Sequence, residues 1–180
     1  MTAHNRRDRN KRIDLGRVGE AGDIVALVCE RFSVPDFNLA AHAAEKRGFH
    51  TTVASTSRSL VAGRSDGNEE MNFVVDVHPD SITADDHDAL IIPGGPGVDT
   101  LMRDPDAKKL VKAFIDAGKP VCALGEAVAE LAALTGKDGV EGDAALALNS
   151  EVFAGSGETA REDAVEAFAN AVKTAQPNAA

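Results

Sequence analysis

The segment Lys119-Pro120-Val121-Cys122-Ala123-Leu124-Gly125-Glu126-Ala127 is a short apolar run that stops at a glycine and passes at once into residues of helical spacing. A buried strand turning this abruptly into a helix has the layout of a nucleophile elbow, in which strained backbone lifts one side chain over a sheet. The residue lifted here is Gly125. Covalent catalysis needs a thiolate, hydroxyl, amine or carboxylate aimed at the substrate, and glycine has nothing to aim. Cys122 stands three residues before the bend, and Cys29 ends an apolar run of its own; both read as core thiols held protonated by burial. Glu126 follows the bend, where a carboxylate at a helix start gains about 0.3–1 kcal/mol from the helix dipole.

Two other segments offer chemistry. Ala89 to Ile92 runs straight into Pro93-Gly94-Gly95-Pro96-Gly97. This loop lacks both the G-x-G-x-x-G spacing and the Lys-Ser/Thr pair of a phosphate-binding loop, so it does not predict a nucleotide. Asp36 follows the first strand, where it either caps a helix or faces the ligand side of the sheet. The histidines, His4, His42, His50, His78 and His87, show no metal-ligand spacing and none falls beside the bend. Neither a metal nor a cofactor is expected.

The elements that must carry these residues alternate. Asp23 to Cys29 is a continuous apolar strand of the kind buried on both faces. Asp36 to Arg47 reads as a helix with Pro35 in its first turn and Gly48 as its stop, and Phe49 to Ser55 as the second strand. Met71 to Val77 alternates at period two, with Phe73, Val75 and Val77 on one side. Asp104 and Pro105 open a helix whose residues Leu110, Val111, Phe114 and Ile115 share a face until Gly118. After the Pro120 to Leu124 strand, Val128, Leu131 and Leu134 mark another helix. Ala144 to Leu148 and Glu151 to Ala154 read as short strands or a hairpin. A capping box of Thr159 and Glu162 then starts a last helix with Val165, Phe168 and Val172 buried. Strands separated by helices of this length require right-handed crossovers, hence a mostly parallel sheet with helices on both faces.

Composition narrows the function. The 180 residues are 43 % hydrophobic, enough for one core, and no run reaches the roughly 20 apolar residues of a membrane span. The net charge of −10 and the absence of Trp and Tyr argue against nucleic-acid binding. Charge is split by segment: residues 1–17 hold six basic and two acidic groups, the remainder 13 basic and 27 acidic. The expected organisation is therefore a disordered basic tail over 1–20 and one folded domain over 21–175. With two cysteines and no secretory pattern at its start, the chain is expected in the cytoplasm.

The sequence resembles the ThiJ/PfpI family of the class I glutamine amidotransferase-like superfamily. The resemblance rests on Asp88-Ala89-Leu90-Ile91-Ile92-Pro93-Gly94-Gly95, on Gly118-Lys119-Pro120-Val121 with the elbow after it, and on the spacing from strand one to its helix. It implies a flavodoxin-like three-layer α/β sandwich. It also implies a cysteine nucleophile at the position of Gly125, often with a histidine at the position of Glu126, and an acid near that cysteine at the position of Asp36. Oxyanion-type donors would be the backbone N–H groups of Gly95 and Glu126. With the thiol missing, the implied site keeps Asp36, Gly94, Gly95, Gly125 and Glu126. It then serves either non-catalytic binding of a small molecule or protein, as a homo-oligomer and in a stress-related role, or a hydrolase, hydratase or glyoxalase-like reaction on small carbonyl compounds. In the second case Asp36 and Glu126 would act as acid and base. Only 55 residues follow Gly125, fewer than the family usually carries there.

Overall fold

The structure, a computed structural model, describes residues 22–136, 146–147 and 152–175. The expected basic tail lies outside these residues. β1 (Gly22–Leu27), β6 (Ala89–Ile92) and β7 (Val121–Leu124) are the central strands, and from Ile24 onward every side chain in them is fully buried. That burial on both faces explains why they read as unbroken apolar runs without alternation. β3 (Phe49–Ala54) flanks β1, and β9 (Val152–Gly155) follows β7, giving the order β3-β1-β6-β7-β9-β8. All of these pairs are parallel except β8 (Leu146–Ala147), which runs antiparallel to β9. The two short stretches expected in this region, as strands or a hairpin, therefore pair antiparallel, although parts of their predicted spans lie outside the described residues.

Two helix groups pack on the sheet. α1 (Val34–Glu45) lies against α5 (Glu158–Ala175), while α2 (Val98–Arg103) touches both α3 (Pro105–Asp116) and α4 (Ala127–Leu134). α3 begins as its sequence predicts: Asp104 accepts hydrogen bonds from the N–H groups of Asp106 and Ala107, with Pro105 in the first turn. The Lys of the Gly-Lys-Pro-Val motif has a fixed structural task. Lys119 Nζ donates to Ala84 O at 2.5 Å and His87 O at 2.6 Å, tying the start of β7 to the approach of β6. Among the described residues, no helix is long and apolar enough to cross a membrane.

Three expectations are corrected. The strand expected over Met71 to Val77 is β5 (Glu70–Val74), which belongs to a separate three-stranded sheet. There it pairs antiparallel with β4 (Leu60–Arg64), which in turn pairs parallel with β2 (Phe32–Ser33). Val77 instead makes a lone parallel bridge to Ala54. The sequence pattern hid β4 because Gly63 interrupts it. A Cβ at Gly63 would fall 2.7 Å from Val34 Cγ2 and 2.8 Å from Phe32 Cζ, so the strand needs a glycine where α1 and β2 approach most closely. Phe32, Phe37 and Phe73 then pack edge to face, with centroids 5.0–5.7 Å apart, and fasten the small sheet to α1.

The second correction concerns α2, which sequence periodicity missed because six residues are too few to show a 3.6-residue repeat. The third concerns α5, which begins at Glu158. Arg161 N donates to Gly157 O, so Thr159 lies inside the helix and does not form the expected capping box with Glu162.

Candidate functional site

Three segments meet beyond the carboxyl ends of β1, β6 and β7, where open α/β sheets bind ligands. Each is positioned by local rules. Ser33 caps α1, its hydroxyl accepting from Asp36 N at 3.3 Å. Asp36 is therefore not needed as the cap, and its carboxylate turns inward, where only 3 % of the residue stays exposed. Asp36 Oδ2 accepts from Gly94 N at 3.1 Å, and Oδ1 lies 2.9 Å from Arg161 Nε. Desolvation raises the Asp36 pKa and the nearby Glu126 charge adds to this, while Arg161 and the Gly94 N–H pull it back; the balance stays above the ordinary aspartate value.

Glu126 does not act as a side-chain cap either. Its backbone is already helical at the entry to α4, and its Oε2 turns back to accept from Gly95 N at 2.8 Å. The two carboxylates thus converge on one loop. A Cβ at Gly94 would fall 2.5 Å from Glu126 Oε2 and 2.8 Å from Asp36 Oδ2, so no side chain fits between them. Sequence reasoning brought Asp36 and Glu126 together only through the family resemblance; the structure brings them together through adjacent amides of the Pro93–Gly97 loop.

Gly125 forms the sharp turn between β7 and α4 with φ +56°, a left-handed backbone that suits glycine. A Cβ there would lie 3.1 Å from Arg161 Nη2, 3.2 Å from Asp36 Oδ2 and 3.3 Å from Gly94 Cα. A guanidinium and a carboxylate therefore crowd the space over the bend, and a side chain there would have to displace them by a few tenths of an ångström. Arg161 is the site residue that sequence reasoning missed. A signal existed: a basic residue near a helix start opposes the helix dipole and needs a partner elsewhere.

Both cysteines are free and buried beneath this region. Burial pushes the Cys29 thiol up to about 11, with the Glu126 and Glu30 charges adding to the effect. Cys122 is also pushed up, by burial first and then by the charge of Asp36. Their expected place in the core holds. Beside the converged carboxylates a cavity of about 210 Å³ opens, lined among others by Arg31, Ser33, Arg64, Asp66, Glu126 and Arg161. Larger hollows of about 590 and 580 Å³ are lined by none of the converged residues. Among the described residues, one further cluster, His78, Asp80 and Asp106, brings ligand-type atoms within 4.8 Å of one another. Sequence spacing gave no hint of it, because Asp106 arrives from α3.

The comparisons fit this architecture. The sequence pattern of the DJ-1/PfpI family matches residues 23–180. DJ-1 protein homolog F of Arabidopsis thaliana is 36 % identical over 83 residues, covering 45 % of this chain and 20 % of that protein. Protein/nucleic acid deglycase 2 of Escherichia coli K12 is 28 % identical over 102 residues, covering 56 % of this chain and 58 % of that protein. The matched segments thus span less than two thirds of either relative. The ThiJ/PfpI domain protein of Brachyspira murdochii superposes with a TM-score of 0.68 at 19 % identity, covering 84 % of this chain and 96 % of that one. Sequence pattern and fold agree: the chain belongs to the DJ-1/PfpI family.

Proposed function

We propose that this chain is a non-covalent binding member of its family, taking a small polar molecule at Asp36, Gly94, Gly95, Gly125 and Glu126 without forming a bond to it. One observation carries the reading: Gly125 presents no side chain, the Arg161–Asp36 ion pair crowds the space over it, and the Gly94 and Gly95 amides are each engaged by a carboxylate. Neither cysteine supplies the missing thiolate, since at neutral pH a thiol shifted to about 11 is almost wholly protonated and Cys122 is shifted upward as well. Self-association to a homodimer in the cytoplasm belongs to the same reading. Leu60 and Val74, an exposed cross-strand pair on the small sheet, support it as apolar surface for a second copy to cover.

A second reading has one observation in its favour. Asp36 has a raised pKa and stands near a second carboxylate, the arrangement that lets one group donate a proton while the other accepts. The name of the E. coli relative, a deglycase, suggests small carbonyl adducts as substrates for such an acid–base pair. Turnover of methylglyoxal or of a glycated peptide by the purified protein separates the readings. The binding reading expects none above background. Turnover that Asp36→Asn or Glu126→Gln abolishes would overturn it. Iodoacetamide at pH 7 is expected to leave the native thiols unmodified, and fast labelling of Cys29 would remove the chemical ground of the proposal.

A further inference from the structure

The cavity beside Glu126 is small and charged. At about 210 Å³ it holds roughly seven water-sized groups, well below a drug-sized site. Three arginines on three different elements line it: Arg31 between β1 and β2, Arg64 at the end of β4, and Arg161 on α5. Arg31 is held in place by unusual backbone. Its φ is +62°, uncommon for a residue with a side chain, and its N–H donates to Ala62 O at 2.7 Å. Strain of this kind persists where surrounding structure enforces a geometry.

The donors of these arginines are not used up. Arg64 Nη1 donates to Asn68 Oδ1 at 2.9 Å, yet its buried Nε makes no hydrogen bond. Arg161 Nε lies 2.9 Å from Asp36 Oδ1, but it too is buried without an aligned hydrogen bond, so the pair is held by charge alone. The acidic groups nearby decide what kind of acceptor. Asp36 offsets the charge of Arg161, and Glu126 is held on the Gly95 amide. With Asp66 and Glu126 in the wall and Asp36 behind Arg161, the three arginines meet three carboxylates, so the mouth carries no surplus charge that would draw a multiply charged anion. Two carboxylates in the wall disfavour a dianion.

We propose that Arg31, Arg64 and Arg161 make this cavity a recognition site for the carboxylate of a small organic monocarboxylic acid. The planar guanidinium matches a carboxylate through paired N–H groups, and a ligand of five to seven heavy atoms fills the available space. Because Glu126 already occupies the Gly95 amide, the ligand's charge is read by the arginine rim and not by the backbone donors of the elbow. The inference rests on the binding reading above and specifies its ligand.

The test uses the full chain with propionate, its neutral isostere propionamide, and inorganic phosphate. Binding is followed by calorimetry and by NMR signals of the arginine Nε–H groups and the Gly95 amide. Propionate is expected to saturate at concentrations on the order of millimolar and to shift the arginine signals. Propionamide and phosphate are expected to bind at least about tenfold more weakly, and Arg31→Gln and Arg64→Gln each to weaken propionate by about tenfold. Both variants leave the Asp36–Arg161 pair intact, and circular dichroism checks that each remains folded. Equal binding of propionate and propionamide, tighter binding of phosphate, or no effect of either variant overturns the assignment. If propionamide shifts Gly95 as strongly as propionate does, the binding site stands and only the carboxylate class falls. If no probe shifts either region, both proposals fall together.

Discussion

Arg161 and Asp36 depend on each other more than any other pair at the site. Asp36 is buried, and the guanidinium is the largest influence holding its charge in place. Replacing Arg161 by Gln should therefore move the Asp36 titration further up, read from its carboxyl carbon by NMR. Stability should fall by about 2–4 kcal/mol, somewhat less than for a fully buried pair because Arg161 reaches solvent. In the native protein the sign is set by the raised pKa of Asp36. Between the ordinary value of 3.8 and its folded value, the folded state holds more protons than the unfolded one, so this residue's contribution declines as pH rises through that window. Gly94→Ala is a second test at this scale. Its Cβ would meet both carboxylate oxygens inside contact distance, displacing Glu126 from the Gly95 amide and costing about 1–3 kcal/mol.

At the scale of elements, the site depends on caps and on one crowded strand. The Asp104 carboxylate satisfies two amides at the start of α3, so Asp104→Ala should lower stability by about 1 kcal/mol in thermal unfolding and leave ligand binding untouched. Gly63→Ala should act differently. The added methyl drives into Val34 and Phe32, so a loss of about 1–3 kcal/mol should come with a shift of Arg64, one residue on, and weaker propionate binding. If binding were unchanged while stability fell, β4 would not be positioning the cavity wall.

The whole molecule has two chemically distinct ends. Opposite the site, at the start of β1, Asp23 accepts from Thr52 Oγ1 at 2.9 Å and lies 3.0 Å from His50 Nδ1 and 2.7 Å from His87 Nδ1. Burial raises its pKa, but the contacts with His87, His50 and Thr52 outweigh burial and hold it below the ordinary value of 3.8. A carboxylate shifted downward stabilises the fold above its unfolded pKa, and that contribution is lost as pH falls through the folded value. Asp23→Asn should therefore cost about 1–2 kcal/mol at pH 7, with the difference closing below pH 3.8, as urea unfolding across pH would show. Because this network lies at the far end of the sheet, its loss should leave binding at the arginine rim unchanged.

Much of this protein was legible in its residues. The fully buried strands announce themselves as unbroken apolar runs, since a strand covered on both faces has no polar side to alternate with. The lack of a side chain at the bend is a property of Gly125 itself, and Pro105 after Asp104 fixes the start of α3 by local chemistry. What lay beyond the sequence depends on distance through space. β4 was hidden because a glycine needed for close approach breaks its pattern. The meeting of Asp36 with Arg161, 125 positions later, and the turning of Glu126 away from its own helix are decided by packing between elements. Local patterns record how a segment buries its own side chains, whereas a charged site is made by residues that carry no mark of each other until the sheet brings them within reach.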